Sequence, residues 1–221
     1  MRNIPPADHP HEFVGGALAL DFTNTLGGTH RAPSHDHLQR YDDLVEFGLM
    51  SGSLCAAEAY RLRSDAKRHP IRARDVLQRA ITLREGLWRI FEAMATGRSA
   101  SPDDVTLINR EIAPALGNAR LVGDGGDFRW GWTDESSLER PLWPIARSAA
   151  ELLTSAEAQT QVRECASETC EWLFLDRTRN HSRRWCDMND CGARAKMRRF
   201  RAKRASERAA TQELTPNLNS N

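Results

Sequence analysis

The chain has 221 residues, of which 40% are hydrophobic and 28% are charged, a composition typical of a soluble globular protein rather than a disordered one. The sequence contains no apolar stretch of the length that a transmembrane helix needs, and its first residues lack the apolar segment of a signal peptide. We therefore expect a cytoplasmic protein that does not interact with a membrane.

The net charge of +1 conceals an uneven distribution along the chain. Residues 161–210 hold 13 Lys and Arg against 7 Asp and Glu, whereas residues 1–160 hold 18 against 22. An asymmetry of this kind suggests that the basic part binds a polyanion.

The first part of the chain predicts a mostly helical domain of the α+β class. Apolar residues alternate over residues 18–22, which predicts a short strand or an extended entry, and residues 28–36 predict a loop. Apolar residues then recur at steps of three and four, which predicts helices over about 36–52, 54–68 and 71–96.

The next segment predicts a helix, a β-hairpin and a further helix. Ser101 followed by Pro102 is typical of a helix start, and this helix should reach about residue 116. Residues 119–133 combine a Gly- and Asp-rich turn with alternating aromatic residues, which predicts a β-hairpin. A helix should then occupy about 138–156.

Several isolated side chains in this domain have two interpretations. Asp21 and Asn24 stand among apolar residues and could line a small-molecule pocket, or could fix backbone groups as caps and turn formers. Cys55 lies in an alanine-rich helical run and is predicted to be a small buried residue. A group of three loop histidines could suggest a metal site but is interpreted as solvated: His30, His35 and His37. Three tryptophans could form either core or a homodimer interface: Trp130, Trp132 and Trp143.

Four of the five cysteines fall in one short segment as two C-x4-C pairs separated by fifteen residues, and they are Cys165, Cys170, Cys186 and Cys191. In a cytoplasmic protein such a cluster indicates a metal site more than disulfides. Four thiolates suit one structural zinc ion per chain, and an iron–sulfur cluster is the alternative, although its spacings usually differ. His181 could replace one ligand, but we expect it to lie exposed in a turn.

The residues between the two cysteine pairs predict a β-hairpin, with residues 172–176 as one strand and residues 183–185 as the return. A helix should follow Cys191, with Ala193, Met197 and Phe200 packed on the hairpin. The small module is therefore predicted to be a zinc-binding β-hairpin–helix of treble-clef-like form.

The predicted helix at residues 192–208 carries eight Lys and Arg against a single acid, Glu207. A solvent-exposed helix normally carries both positive and negative side chains. The excess of positive charge here therefore favours phosphate binding and contacts to guanine edges. An acidic protein partner is the alternative. The candidate DNA-binding residues are Arg183, Arg184, Arg194, Lys196, Arg198, Arg199, Arg201, Lys203 and Arg204.

The segment CASETCEWLFLDRTRNHSRRWCDMNDCGARAKMRRFRAKR closely resembles the CGNR zinc finger, and the upstream GGALALDFTNTL resembles the start of the ABATE domain. The resemblance implies a bacterial, stress-responsive transcription regulator whose finger binds DNA and whose N-terminal domain senses a small-molecule effector. It also implies a zinc role for the four cysteines and a structural role for Gly192 and Arg194. Ala193 departs from the motif, which has Asn at this position.

Together these observations predict three parts: a ligand-sensing domain at 1–160, a zinc finger with a basic helix at 161–210, and a flexible tail at 211–221. The predicted function is DNA-binding transcription regulation, and a protein-interaction adaptor is the alternative. The sequence contains no P-loop, nucleophile elbow, zinc-protease or dinucleotide motif, and four cysteine ligands leave zinc no open position, so we do not expect an enzyme.

Overall fold

The structure is a computed structural model that describes residues 4, 5, 7, 8 and 10–213, with the backbone alone for Asp124 and residues 209–213. The chain divides into two compact units, and the division falls between Cys186 and Asp187. Within the described residues, none of the helices combines the length and hydrophobicity that a membrane span requires.

The core of the first unit is built around helix α4 (Pro70–Ala95), which packs against α1 (Leu18–Thr23), α2 (Tyr41–Met50), α3 (Ala56–Arg68) and α5 (Pro102–Asn118). Apolar residues spaced by three and four positions give α4 one continuous buried face. That face comprises Val76, Leu77, Ala80, Leu83, Leu87, Ile90 and Phe91.

Four of the predicted helices are confirmed as α2, α3, α4 and α5. Gly52 and Gly97 follow the ends of α2 and α4, and their positive φ angles of 71° and 70° are those expected of glycines that end helices. The Ser101 hydroxyl accepts a hydrogen bond from the backbone of Asp103 and caps α5. Helix α2 begins at Tyr41, later than predicted, because the preceding strand ends only at Asp36 and residues 37–40 are neither helix nor strand.

The prediction of a strand at residues 18–22 is wrong, since this segment is helix α1. Every residue from Ala19 to Thr23 is buried. Alternation of apolar residues identifies a strand when one face meets solvent, and here no face does. The predicted loop at 28–36 is also wrong in part, because it includes β2 (Pro33–Asp36), which pairs antiparallel with β1 (Leu26–Gly28).

The predicted hairpin at 119–133 is confirmed as β3 (Ala119–Asp124) and β4 (Asp127–Trp132), with Leu121 opposite Trp130. Trp132 packs with Trp143 in a small apolar cluster, whereas Trp130 is 44% exposed beneath the Arg147 guanidinium. Two of the three tryptophans therefore belong to the core, and the homodimer stays a prediction. The next predicted helix is present as α6 (Leu142–Thr154), followed by α7 (Ala156–Gln161).

The strand predicted after Cys170 exists as β6 (Leu173–Leu175), but its predicted partner is wrong. It pairs antiparallel with β5 (Val162–Glu164), which precedes the first cysteine, and residues 183–185 form no strand. All residues from Trp172 to Asp176 are buried. Strand β6 is therefore enclosed on both faces within the first unit.

Hydrogen bonds tie this buried strand to the N-terminal segment. The Asn24 side chain donates to the Leu173 carbonyl and accepts from the Leu173 amide, both at 2.9 Å. The Leu175 amide donates to the Gly15 carbonyl at 2.8 Å, and the Trp172 indole donates to the Leu26 carbonyl at 2.9 Å. Segments 149 residues apart in the chain thus complete one core.

The second unit begins with a single π-helical turn, Met188–Gly192, and continues as α8 (Ala193–Glu213). The helix after Cys191 is confirmed, and the packing of its apolar stripe on the segment between the cysteine pairs stays a prediction. Met197 is 50% exposed and Phe200 54% exposed, whereas Ala195 is buried. Residues 211–213 of the predicted flexible tail continue α8, and residues 214–221 lie outside the described residues.

Asn24→Leu should lower the free energy of unfolding by about 2–4 kcal/mol, because a buried amide and a buried carbonyl of Leu173 lose their partners. Urea unfolding followed by circular dichroism measures the loss. Asn109→Leu, on the exposed face of α5, is the control and should change stability by less than about 0.5 kcal/mol. Equal stability of the two variants would contradict the role assigned to Asn24.

Candidate metal centre

The four clustered cysteines come from two short loops that the backbone holds in place. Cys165 directly follows β5 and donates its amide to the Trp172 carbonyl, and the Cys170 amide closes a turn on the Ser167 carbonyl at 3.1 Å. Cys191 lies in the π-helical turn. All four cysteines are at most 6% exposed.

The sulfur positions fit one tetrahedral zinc ion. The four Sγ atoms all lie within 4.8 Å of one another, and those of Cys170 and Cys186 are 3.8 Å apart. Zinc–thiolate bonds of about 2.3 Å in a tetrahedron place the sulfurs about 3.8 Å apart. None of the four is in a disulfide, so each thiol can supply a ligand.

The electrostatics of the cluster also favour a bound cation. Hydrogen bonds from Cys170 and Cys186 lower the pKa of the Cys165 thiol. Hydrogen bonds to Cys165 raise the pKa of the Cys170 and Cys186 thiols, and burial adds to that effect. Burying several thiolates together is unfavourable, and a divalent cation would offset this repulsion.

The loop around Cys191 has its own supporting contacts. The Asp187 carboxylate caps the π-helical turn by accepting from the amides of Asn189 and Asp190, at 2.6 and 2.9 Å. The Arg194 guanidinium donates to the Cys191 sulfur at 3.0 Å and pairs with the Asp190 carboxylate at 2.7 Å. A cationic donor beside a ligand sulfur stabilises the negative charge of a zinc–thiolate centre.

His181 lies away from this ligand set. It has a positive φ of 46° and is exposed, and its ring nitrogen contacts the Asp176 carbonyl at 3.1 Å. Its predicted position in an exposed turn is confirmed. In the part of the chain that the structure describes, the four cysteines are the one group of three or more His, Cys, Asp or Glu close enough to hold a metal ion.

The candidate DNA-binding residues of α8 lie on its exposed surface. One of them makes a weak pair within the helix, Lys203 with Glu207 at 3.8 Å, and the Arg204 guanidinium lies over the Phe200 ring. The exposed members are Arg194, Lys196, Arg198, Arg199, Arg201, Lys203 and Arg204.

The two candidate arginines before the helix have different environments. The Arg183 guanidinium donates to the carbonyls of Val14, Trp185 and Cys186 and lies 4.2 Å from the centre of the Phe174 ring. This side chain is committed to the fold, so we omit it from the proposed interface. Arg184 is exposed.

Asp21 and Asn24, the candidate pocket residues, are both buried and bonded to backbone. Asp21 accepts from the Gly15 amide at 2.7 Å, and Asn24 pairs with Leu173. Neither residue lines any cavity described below. Their geometry suits the fixing of backbone groups, and a ligand role for them stays a prediction.

Two smaller predictions are wrong. Cys55 is exposed rather than buried, because it precedes the first turn of α3 as its N-cap. The three loop histidines are half-buried rather than solvated. His30 stacks on Trp88 with the ring centres 3.6 Å apart, and the rings of His35 and His37 meet edge to face.

Nothing in the sequence marks Glu171, which follows the ligand Cys170, as a residue of the site. Its carboxylate accepts from the His30 amide at 2.7 Å, and its carbonyl accepts from the Trp88 indole at 3.2 Å. Arg84 and Asp36 form a buried pair, 2.6 Å apart, that the sequence also does not indicate. These partners are separated by tens of residues, and no local spacing marks them.

Comparison with known families agrees with this architecture. A family model, ABATE, described as "Putative stress-induced transcription regulator", matches residues 16–156, and a second, the CGNR zinc finger, matches residues 161–204. No curated protein matches the chain. The finger match and the sulfur geometry together identify the four cysteines as the site of one structural zinc ion.

Purified protein should contain about one zinc per chain, because four thiolates complete one tetrahedral shell. Cys186→Ser should lose most of the metal, whereas Cys55→Ser, which changes an exposed cysteine outside the cluster, should keep it. Elemental analysis of the three proteins tests this. Iron with sulfide in place of zinc, or no metal in the unaltered protein, would contradict the assignment.

Asp21→Asn should stabilise the protein at neutral pH. Burial raises the pKa of Asp21 from 3.8 to about 6, and the Gly15 amide and Arg183 oppose that shift. The unfolded chain therefore loses this proton at lower pH than the folded chain, so stability falls as pH rises from about 4 to 6. The asparagine keeps an acceptor for Gly15 without the charge.

The expected gain of Asp21→Asn is about 3 kcal/mol at pH 7, shrinking to less than about 1 kcal/mol near pH 4.5. Paired urea unfolding curves of both proteins at each pH measure it, and any shared effect of pH on the metal site cancels. A difference between the proteins that does not change with pH would show that burial does not raise the pKa of Asp21.

Proposed function

The chain belongs to the ABATE family, a family of transcription regulators, and from that premise we propose that it regulates transcription by binding DNA through helix α8. The observation that carries this proposal is the charge of α8. Residues 192–208 hold eight Lys and Arg against one Glu, and these cations are exposed. Such a surface can neutralise phosphates of a duplex over several turns of the helix.

The zinc site supports a structural rather than a catalytic role for the metal. Four cysteine ligands leave no position for water or substrate, which a catalytic zinc requires. Metal binding supplies on the order of 10–16 kcal/mol in zinc-finger peptides. We infer that zinc fixes the loop from which α8 starts, so that its first residues are presented in one orientation.

Arg194 has a different role from the other cations in this proposal. Its guanidinium already contacts the Cys191 sulfur and the Asp190 carboxylate. We assign it to bracing the metal loop, and leave phosphate contacts to Lys196 and the cations after it. A zinc site of four thiolates needs reduced cysteines, which fits a cytoplasmic location.

A specific observation favours a second candidate, an adaptor that docks an acidic protein. Met197 and Phe200 are half-exposed among the cations of α8, and Met188 in the preceding turn is 65% exposed. Exposed apolar side chains of this size are typical of protein contacts, whereas phosphate binding does not need them.

The DNA proposal predicts that affinity for a duplex depends on salt. The double variant Arg198→Glu with Arg201→Glu should lower both this affinity and its salt dependence. Each neutralised phosphate contributes a slope of about −0.9 in log affinity against log salt. Losing two contacts should make the slope less steep by about two and weaken binding to all sequences alike. Fluorescence anisotropy of a labelled duplex at several salt concentrations measures both effects.

The control for that variant is Arg74→Glu with Arg110→Glu, which makes the same change in net charge at exposed positions of α4 and α5. It should leave the slope nearly unchanged. If the unaltered protein shows no salt-dependent affinity for any duplex or single strand, the adaptor proposal replaces the DNA proposal. Replacing Met197 and Phe200 by Ser should then weaken capture of the acidic partner.

A further inference from the structure

A cavity of about 640 Å³ opens beside the β1–β2 hairpin of the first unit, between that hairpin and helix α4. Apolar and polar side chains line it in about equal numbers, and small-molecule sites likewise combine apolar walls with placed polar groups. Leu26 and His30 line the cavity from the hairpin, and Gln78, Ile81, Glu85 and Trp88 line it from α4.

The charged groups that line the cavity are already paired with protein groups. Arg84 is 2% exposed and makes two hydrogen bonds to Asp36, at 2.6 and 3.0 Å, with a third to Glu85 at 3.3 Å. Arg89 pairs with Asp104 outside the cavity. A charged ligand would therefore bury its charge without a counter-ion, which is costly.

An aromatic surface is the main binding feature that remains. The His30 ring stacks on the Trp88 indole, with the ring centres 3.6 Å apart and the planes at 26°. Gln78 adds an amide at the rim, and Ile81 adds an apolar wall. These groups suit a planar, uncharged aromatic molecule that stacks on the rings and hydrogen-bonds to the amide.

The same wall holds the segment that follows a zinc ligand. Trp88 donates to the Glu171 carbonyl at 3.2 Å, and the His30 amide donates to the Glu171 carboxylate at 2.7 Å. Leu26 accepts from the Trp172 indole at 2.9 Å. Glu171 is bonded directly to Cys170, so Trp88 fixes the backbone next to this metal ligand, and His30 and Leu26 hold the side chains of Glu171 and Trp172.

We propose that this cavity is the effector site of the regulator, that it takes an uncharged planar aromatic ligand, and that the ligand acts on the zinc loop through Trp88 and Glu171. The inference rests on the proposed regulatory function, but its tests do not use DNA. A ligand that stacks on an outer face of the His30–Trp88 pair holds in place the two groups that donate to Glu171, the His30 amide and the Trp88 indole, and so stabilises the position of Cys170.

Binding is tested on the zinc-loaded full chain with N-phenyl-1-naphthylamine, an uncharged dye that fluoresces in apolar sites. The matched probe is 1-anilinonaphthalene-8-sulfonate, which has the same ring system with an added sulfonate. The uncharged dye should bind saturably and at least about tenfold more tightly than the anion, because the cavity offers the sulfonate no unpaired cation.

Gln78→Trp places a large side chain at the rim of the cavity from an exposed position of α4 and should weaken dye binding by about tenfold. Ile71→Trp is the control, since Ile71 is 73% exposed on the same helix and does not line the cavity. It should leave the dye affinity unchanged. Tighter binding of the anion, or equal effects of both substitutions, would overturn the site.

Coupling to the metal is tested by the rate at which a colorimetric chelator removes zinc. Saturating dye should slow this release by about fivefold, the lower end of typical coupling between two sites. Trp88→Phe keeps a stacking ring but removes the donor to Glu171, so dye should still bind but no longer slow release. Equal slowing in both proteins, or none in either, would overturn the coupling.

Failure of these tests is distinguishable from failure of the proposed function. A protein that binds the dye and shows the zinc effect, but has no affinity for DNA, would keep this effector site and lose DNA binding. A protein that binds DNA but neither dye would lose the effector site alone.

Discussion

Strand β6 has no face toward solvent, and the rest of the first unit depends on how its polar backbone is satisfied. A buried amide or carbonyl without a partner costs free energy comparable to a lost hydrogen bond. Here β5 supplies one set of partners, and Gly15 and the side chain of Asn24 supply others. The N-terminal segment is therefore part of the environment of the zinc loop rather than a separate appendage.

Around the metal site, charged side chains also serve as partners for buried backbone and sulfur atoms. Arg183 is held by several backbone carbonyls, one of them that of the zinc ligand Cys186. Arg194 contacts the sulfur of Cys191. Both arginines resemble nucleic-acid ligands in the sequence, yet their guanidinium groups are used by the protein. Proximity to basic residues in sequence therefore does not identify the cations that are available to a partner.

The sequence predicts those features whose signals are local. Helix spacing, the Ser101 cap, the Gly97 stop and the two cysteine pairs each lie within a few residues of the structure they determine. The strand predicted at residues 18–22 fails because burial on all sides removes the contrast between faces on which periodicity depends.

The remaining errors involve partners far apart in the chain. Nothing near residue 172 shows that β6 pairs with β5 rather than with residues 183–185, because both segments could supply an antiparallel neighbour. The wall of His30, Trp88 and Glu171 joins three distant segments by contacts to backbone atoms, which any residue type carries. Likewise, the cavity of the first unit forms only in the assembled fold, and no sequence motif marks the residues that line it.

The pairing of Asn24 with Leu173 has a consequence for how the protein is made. The two residues are 149 positions apart, so at roughly 5–20 residues per second a ribosome synthesises them about 8–30 s apart. During that interval α1 has emerged without the strand that completes its environment. The nascent chain must therefore reach strand β6 before this part of its core can close, and until then α1 exposes apolar surface.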